Sequence, residues 1–158
     1  MIAAELQQFL ESGVSVLVGT RDRLLVPEAA RGFGLRVEAE GRELAVFLPA
    51  VWAARTLANL RDNGRIAVAA ARPQDHRSVQ VKGLAVEIRD GDAEDRAAIA
   101  RYRERMVTDF AAFGYPPRVL HRITAWPCHV VRLRVEALFE QTPGPRAGAP
   151  LAPAGTAA

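Results

Sequence analysis

Along Ser78, Val79, Gln80, Val81 and Lys82 the chain alternates polar with β-branched residues. Side chains alternate across a β-strand, so this segment predicts a strand with Ser78, Gln80 and Lys82 on one face and Val79 and Val81 on the other. One face can pack into a core. The other lines up a hydroxyl, an amide and an ammonium, a set suited to an anionic or heteroaromatic ligand. A chain organised around such a strand needs a sheet with one buried face.

The remaining sequence supplies short strands and a few helices. Val14, Val16 and Val18 share one face of a strand over 14–20, which the polar cluster Arg21, Asp22, Arg23 then turns. A second strand spans 25–38 with Gly32 and Gly34 inside it. Glycine there marks either a barrel corner or a place where a ligand comes close to the backbone. Further strands are expected at 44–48, ended by Pro49, at 66–70, at 76–88 and at 127–139. Helical spacing appears in Ile2, Leu6, Phe9 and Leu10, stopped by Gly13, which predicts a helix over 2–12 lying over a barrel end. Leu57 and Leu60 predict another over 52–62, with Asn63 and Gly64 as its stop. Asp92 and Asp95 form a variant capping box ahead of the longest helix, whose stripe is Ile99, Tyr102, Met106, Phe110 and Phe113. Pro116 and Pro117 begin a short piece through about Ile123. With no regular β-α-β alternation, this pattern predicts a mainly β, α+β fold: an antiparallel barrel with helices at its rim. The domain runs over 1–141. From Thr142 onward Pro, Gly and Ala dominate, and disorder is expected beyond Gly148.

With 158 residues, 49% of them hydrophobic, the chain has material for one core. Its net charge of +3 is spread without a basic block and its aromatic content is 6%, which argues against nucleic-acid binding. No apolar run approaches the roughly 20 residues that span a bilayer. Residues 1–8 lack a basic region followed by an apolar core, so no signal peptide is expected. Cys128 is the single cysteine, which leaves no internal disulfide and fits a reducing cytoplasm. Cys128 and His129 point to opposite faces of a strand, and His76 and His121 have no partner at metal-ligand spacing, so no metal site is expected.

The run from Thr56 to Val68, Thr-Leu-Ala-Asn-Leu-Arg-Asp-Asn-Gly-Arg-Ile-Ala-Val, together with the strand around Gln80, resembles the FMN-binding split β-barrel proteins related to pyridoxamine 5′-phosphate oxidase. The resemblance covers roughly residues 6–142. It implies a split, Greek-key-like antiparallel barrel that forms a homodimer and holds FMN in a cleft between subunits.

Residue by residue, the resemblance implies the following. Ala54, Arg55 and Thr56 align with a Ser-Arg-Lys triplet of the better-known oxidases, so Arg55 and Thr56 are expected near the phosphate, with one charge fewer. Arg77, Ser78 and Val79 align with Arg-Gln-Val; Ser78 replaces the flavin-contacting glutamine, and Gln80 follows on the same face. Ser78, Gln80 and Lys82 are therefore expected along the ring or ribityl chain, unless Gln80 and Lys82 belong to the dimer contact. Arg31 is a second phosphate candidate, with Gly32 and Phe33 bordering the cofactor. Trp126 either stacks near the flavin or plugs the core. Function is then a flavin-dependent oxidoreductase acting on a small redox substrate, or a non-catalytic flavin carrier, sensor or stress protein, or a haem or deazaflavin binder. Activity as pyridoxamine phosphate oxidase itself is not expected, because the longer C-terminal segment used for that substrate is missing.

Overall fold

A computed structural model describes residues 1–151. Seven strands form one antiparallel sheet: β1 (Ser15–Arg21), β2 (Pro27–Gly32), β3 (Leu35–Glu38), β4 (Glu43–Pro49), β5 (Arg65–Ala71), β6 (Ser78–Asp90) and β7 (Cys128–Glu140). Their order is β2-β1-β5-β6-β7-β4-β3. Four α-helices accompany them: α1 (Ala4–Leu10), α2 (Ala50–Asn63), α3 (Ala93–Ala111) and α4 (Pro117–Leu120).

Sequence-adjacent β2 and β3 lie at the two ends of that order, so the short link between them closes the sheet on itself. Phe33 donates its N–H to the Phe47 carbonyl (2.8 Å), and Phe47 donates back to Gly34 (3.2 Å). The segment expected as one strand over 25–38 is thus broken into two by this corner. Gly32 faces inward there, and a Cβ on it would stand 2.7 Å from Val16 Cγ1 and 3.1 Å from Val46 Cγ2. The corner needs a residue without a side chain.

Inside the barrel, Val14, Val16 and Val18 meet Leu44, Val46, Leu48, Val68, Val79, Val81, Val131 and Leu133, all buried. Phe9 and Leu10 of α1 and Leu57 and Leu60 of α2 cap this core. Helix α2 ends where Gly64 adopts φ +68°, the left-handed stop expected from Asn63 and Gly64. A second apolar cluster lies on the outer side of β4 and β7, where Phe47, Val130 and Cys128 pack against Ile99, Tyr102 and Met106 of α3. Asp92 accepts from Asp95 N–H (3.0 Å) and Asp95 accepts from Asp92 N–H (3.1 Å), so the expected capping box is formed.

Residues 149–151 do not leave the body as the Pro-Gly-Ala composition leads one to expect. Glu140 donates to the Ala149 carbonyl (2.9 Å) and Leu151 to the Leu138 carbonyl (2.8 Å), and Pro150 bridges to Phe139. The tail pairs with backbone groups at the end of β7 that would otherwise lack partners. Positions 152–158, the rest of the expected disordered stretch, lie outside the described residues.

Candidate functional site

The register of the strands places the outward residues in rows. Arg31, Leu17, Ala69, Gln80 and Phe139 stand side by side across β2, β1, β5, β6 and β7. Beside them run Ala29, Gly19, Ala67, Lys82 and Ala137, and then Ser15, Ala71 and Ser78. Helix α3 covers the outer side of β4 and part of β7 and meets these rows only at Arg31, and Leu17 is 52% exposed. Alternation explains the row of small residues. In β5, Ile66, Val68 and Ala70 turn inward, leaving Ala67, Ala69 and Ala71 outside.

Over the row Gly19, Ala67, Lys82 and Ala137 lies a groove of about 560 Å³, bounded by Arg21, Arg65, Gly83 and Glu136. Arg65 pairs with Glu136 (2.9 Å). Lys82, the single lysine among 20 arginines, stands 4.8 Å above the Phe139 ring, with no carboxylate partner among the described residues. A bulge follows it: the β6–β7 register shifts between Lys82 and Gly83, where a Cβ on Gly83 would fall 2.0 Å from the Arg134 carbonyl oxygen. The strand therefore bends just beyond the last of the three polar side chains.

Arg31 borders this face differently. Its guanidinium lies 5.6 Å from the Phe33 ring centroid, donates to the Met106 sulfur (3.6 Å) and stands beside the Tyr102 hydroxyl, and its buried Nε has no acceptor. A half-buried cation with no carboxylate partner among the described residues is a strong candidate to take an anion. The backbone of Arg31 is pinned by Trp52, whose Nε1 donates to its carbonyl (2.9 Å). Trp52 is not among the residues expected at the site; its signal in the sequence is an indole at the start of a helix that covers a barrel mouth.

The structure brings Arg31, Ser78, Gln80 and Lys82 to one face and leaves the other expected site residues elsewhere. Arg55 pairs with Glu28 (3.5 Å), which faces the barrel mouth on the opposite side of β2 from Arg31. Thr56 is fully buried, and its hydroxyl has no partner. Arg31, Arg55 and Thr56 thus do not form one cluster within the subunit. Gly32 lies in the barrel interior, and Phe33 is fully buried between Trp52 and Tyr102, with centroids at 6.2 and 6.1 Å. Trp126 sits at the far end of β7 from Phe139, under the Arg96 guanidinium (5.6 Å) and against the second apolar cluster.

Other ionisable groups of note are structural. Burial pushes the Tyr102 phenol up to about 12, and its O–H donates to the Val14 carbonyl (2.8 Å). Burial also pushes the Cys128 thiol up to about 11, so it is a protonated thiol at neutral pH rather than a thiolate ligand. His129 faces Asp90 (2.9 Å) and His121 faces Glu104 (3.9 Å), and no histidine stands in the outward rows. Among the described residues, no group of three or more His, Cys, Asp or Glu is placed to hold a metal ion, and no helix is long and apolar enough to cross a membrane.

The fold is that of the pyridoxamine 5′-phosphate oxidase-like split barrels. HupZ of Group A Streptococcus superposes with a TM-score of 0.57 at 20% identity, over 94% of this chain and 100% of that one. A candidate pyridoxamine 5′-phosphate oxidase of Lactobacillus delbrueckii gives 0.54 at 18% identity, covering 87% of this chain and 93% of the other. An F420 reductase gives 0.53 at 16% identity, covering 84% and 94%. No protein-family model and no curated protein sequence matches this chain.

Proposed function

We propose that the chain is an FMN-binding flavoprotein that works as a cytoplasmic homodimer, with the uncovered outer face of β1, β5 and β6 as both dimer surface and cofactor site. The observation that carries this reading is the groove floored by Gly19, Ala67 and Ala137, with the unpaired cation Lys82 in its row and Arg31 and Gln80 in the next. Small floor residues let a flat ring system lie close to the sheet. The donors around them match a phosphorylated heteroaromatic, and Arg31, with an orphaned buried Nε, fits its phosphate.

In this reading Arg31 holds the phosphate, and Ser78, Gln80 and Lys82 hold the polar edge and chain of the cofactor. Bound flavin supplies two-electron transfer. The protein orients it, excludes water when a second copy covers the face, and places positive charge where a reduced anion would be stabilised. The small-molecule substrate approaches from the open side of the groove.

Similarity in fold to an F420 reductase keeps a deazaflavin as the second reading, since the same cations suit its phosphate. Haem is less well supported, because the outward rows offer no histidine. Titrating the purified protein with FMN, F420 and hemin, read by fluorescence and visible absorbance with the oligomeric state followed by sedimentation, separates the three. Saturable FMN binding by a dimer is the expected result, and reduction of bound FMN by NADH or NADPH then distinguishes an oxidoreductase from a carrier. A monomer indifferent to FMN overturns the proposal.

A further inference from the structure

A second cavity, of about 250 Å³, opens between α1, β3 and α3, and none of its lining residues lines the groove. Its floor is buried and largely apolar: Gly34, Leu35, Phe47 and Tyr102. Gly34 has φ +119°, and a Cβ on it would press against Phe47 Cδ2 at 3.1 Å and Tyr102 Cγ at 3.4 Å, so the position favours bare backbone. The rim is charged, with Glu11, Arg36, Arg101 and Arg105. Positions 101 and 105 are one helical turn apart, so their side chains leave α3 on the same side.

The rim charges do not cancel. Arg36 is matched by Glu38 (2.8 Å) and Asp95 (3.1 Å). Arg105 donates to the Glu11 backbone carbonyl (2.7 Å), a contact that leaves its charge uncompensated. Arg101 has no hydrogen-bond or ion-pair partner among the described residues. The Glu11 carboxylate accepts from the Val37 N–H (2.8 Å) and the Gln7 amide (3.4 Å), so it meets amides rather than either arginine. Two guanidinium groups thus oppose one carboxylate above an aromatic floor. The volume corresponds to roughly eight waters in the liquid, room for a single ring with one substituent.

We propose that this cavity binds a small aromatic oxyanion, a carboxylate or a phosphate monoester, with its ring on Phe47 and Tyr102 and its charge between Arg101 and Arg105. The site shares no lining residue with the groove, although Tyr102 of its floor stands beside Arg31. Calorimetric titration of the full chain with benzoate and with phenyl phosphate, repeated in the presence of FMN, tests it. Expected is saturable binding of at least one probe, one per chain and undiminished by FMN, weakened about tenfold or more by Arg101→Ala. Because Arg101 has no hydrogen-bond or ion-pair partner among the described residues, that variant is expected to keep the parent's thermal midpoint, and a loss of binding at an unchanged midpoint reads out the site alone. Whichever probe binds more tightly tells carboxylate from phosphate. The proposal is overturned by absence of saturable binding of both probes, by equal affinity in Arg101→Ala, or by displacement of the probe by FMN together with its loss in Arg31→Ala, which would place it in the groove.

Discussion

At the scale of single residues, the two arginines expected at one phosphate part company. The sequence names both, but which side of β2 each serves depends on strand register, and the residues themselves do not carry it. Arg31 has unused donors on the outer face, whereas Arg55 is occupied by Glu28 at the barrel mouth. Arg31→Ala should therefore weaken FMN tenfold to a hundredfold, about 1.5–3 kcal/mol, while Arg55→Ala changes it by less than about threefold. Fluorescence titration of both variants checks this, and the reverse ranking would move the anion site to the α2 side. Asp95 is a second residue whose role is only partly legible in the sequence. Its helix-capping role is visible in the spacing to Asp92, but its ion pairs with Arg89 (2.5 Å) and Arg36 (3.1 Å) are long-range or cross-element. Burial opposes its charge, yet the hydrogen bonds from Arg89, from the Asp92 backbone and from Arg36 outweigh that and hold its carboxyl below the usual range. A depressed carboxyl stabilises the fold above its ordinary pKa near 4, and the stabilisation is lost as pH falls from there through the lower folded value. Asp95→Ala should cost about 3–5 kcal/mol at neutral pH by removing the cap and leaving two half-buried guanidinium groups facing each other. The difference from the parent should shrink in urea melts below about pH 4.

At the scale of elements, what was legible followed from period and punctuation. Alternation in β1 and β6 gave their buried faces, and Gly64 and the Asp92–Asp95 box gave helix ends, because these signals are local. The break between β2 and β3 was not legible, since it arises from barrel closure, where Gly32 must clear Val16 and Val46 across the interior. Nor was the hold on Ala149, Pro150 and Leu151, which depends on free backbone groups at the end of β7 rather than on the tail's own composition. The α4 segment is shorter than its double proline led us to expect, ending at Leu120 instead of about Ile123. The β6–β7 bulge tests how firmly elements set the site. A methyl group on Gly83 would collide with the Arg134 carbonyl across the bulge, a backbone atom that cannot rotate away. Gly83→Ala should thus destabilise the fold by about 1–3 kcal/mol or more and weaken FMN through the neighbouring Lys82. Denaturant melts and flavin titration measured together check it; an unchanged melting curve would mean that the bulge relaxes freely.

At the scale of the whole molecule, the uncovered face is too small to act alone. Five strands about 4.8 Å apart and some six residues long present roughly 500 Å² in projection, short of the roughly 800 Å² that each partner of a stable complex buries. The β1–β2 hairpin supplies more apolar surface at the edge of the same face, since Leu24 and Leu25 are 77% and 68% exposed and Val26 is 41% exposed. Two copies pairing through the rows of Leu17, Ala69 and Gln80 would cover both and wall in the groove between them. Leu17 projects from a sheet whose core it does not touch, so Leu17→Asp should leave the monomer folded, disrupt the dimer and lower FMN affinity in step. Sedimentation and flavin titration measure the two effects side by side. Chemistry offers an independent readout: apart from the chain's amino terminus, Lys82 is the one amine, so modification by an amine-reactive reagent reports directly on the groove. Lys82 should label readily in the Leu17→Asp variant and slowly in the parent with FMN bound. Equal labelling in both, with the parent sedimenting as a monomer, would mean that this face meets neither a second copy nor a flavin.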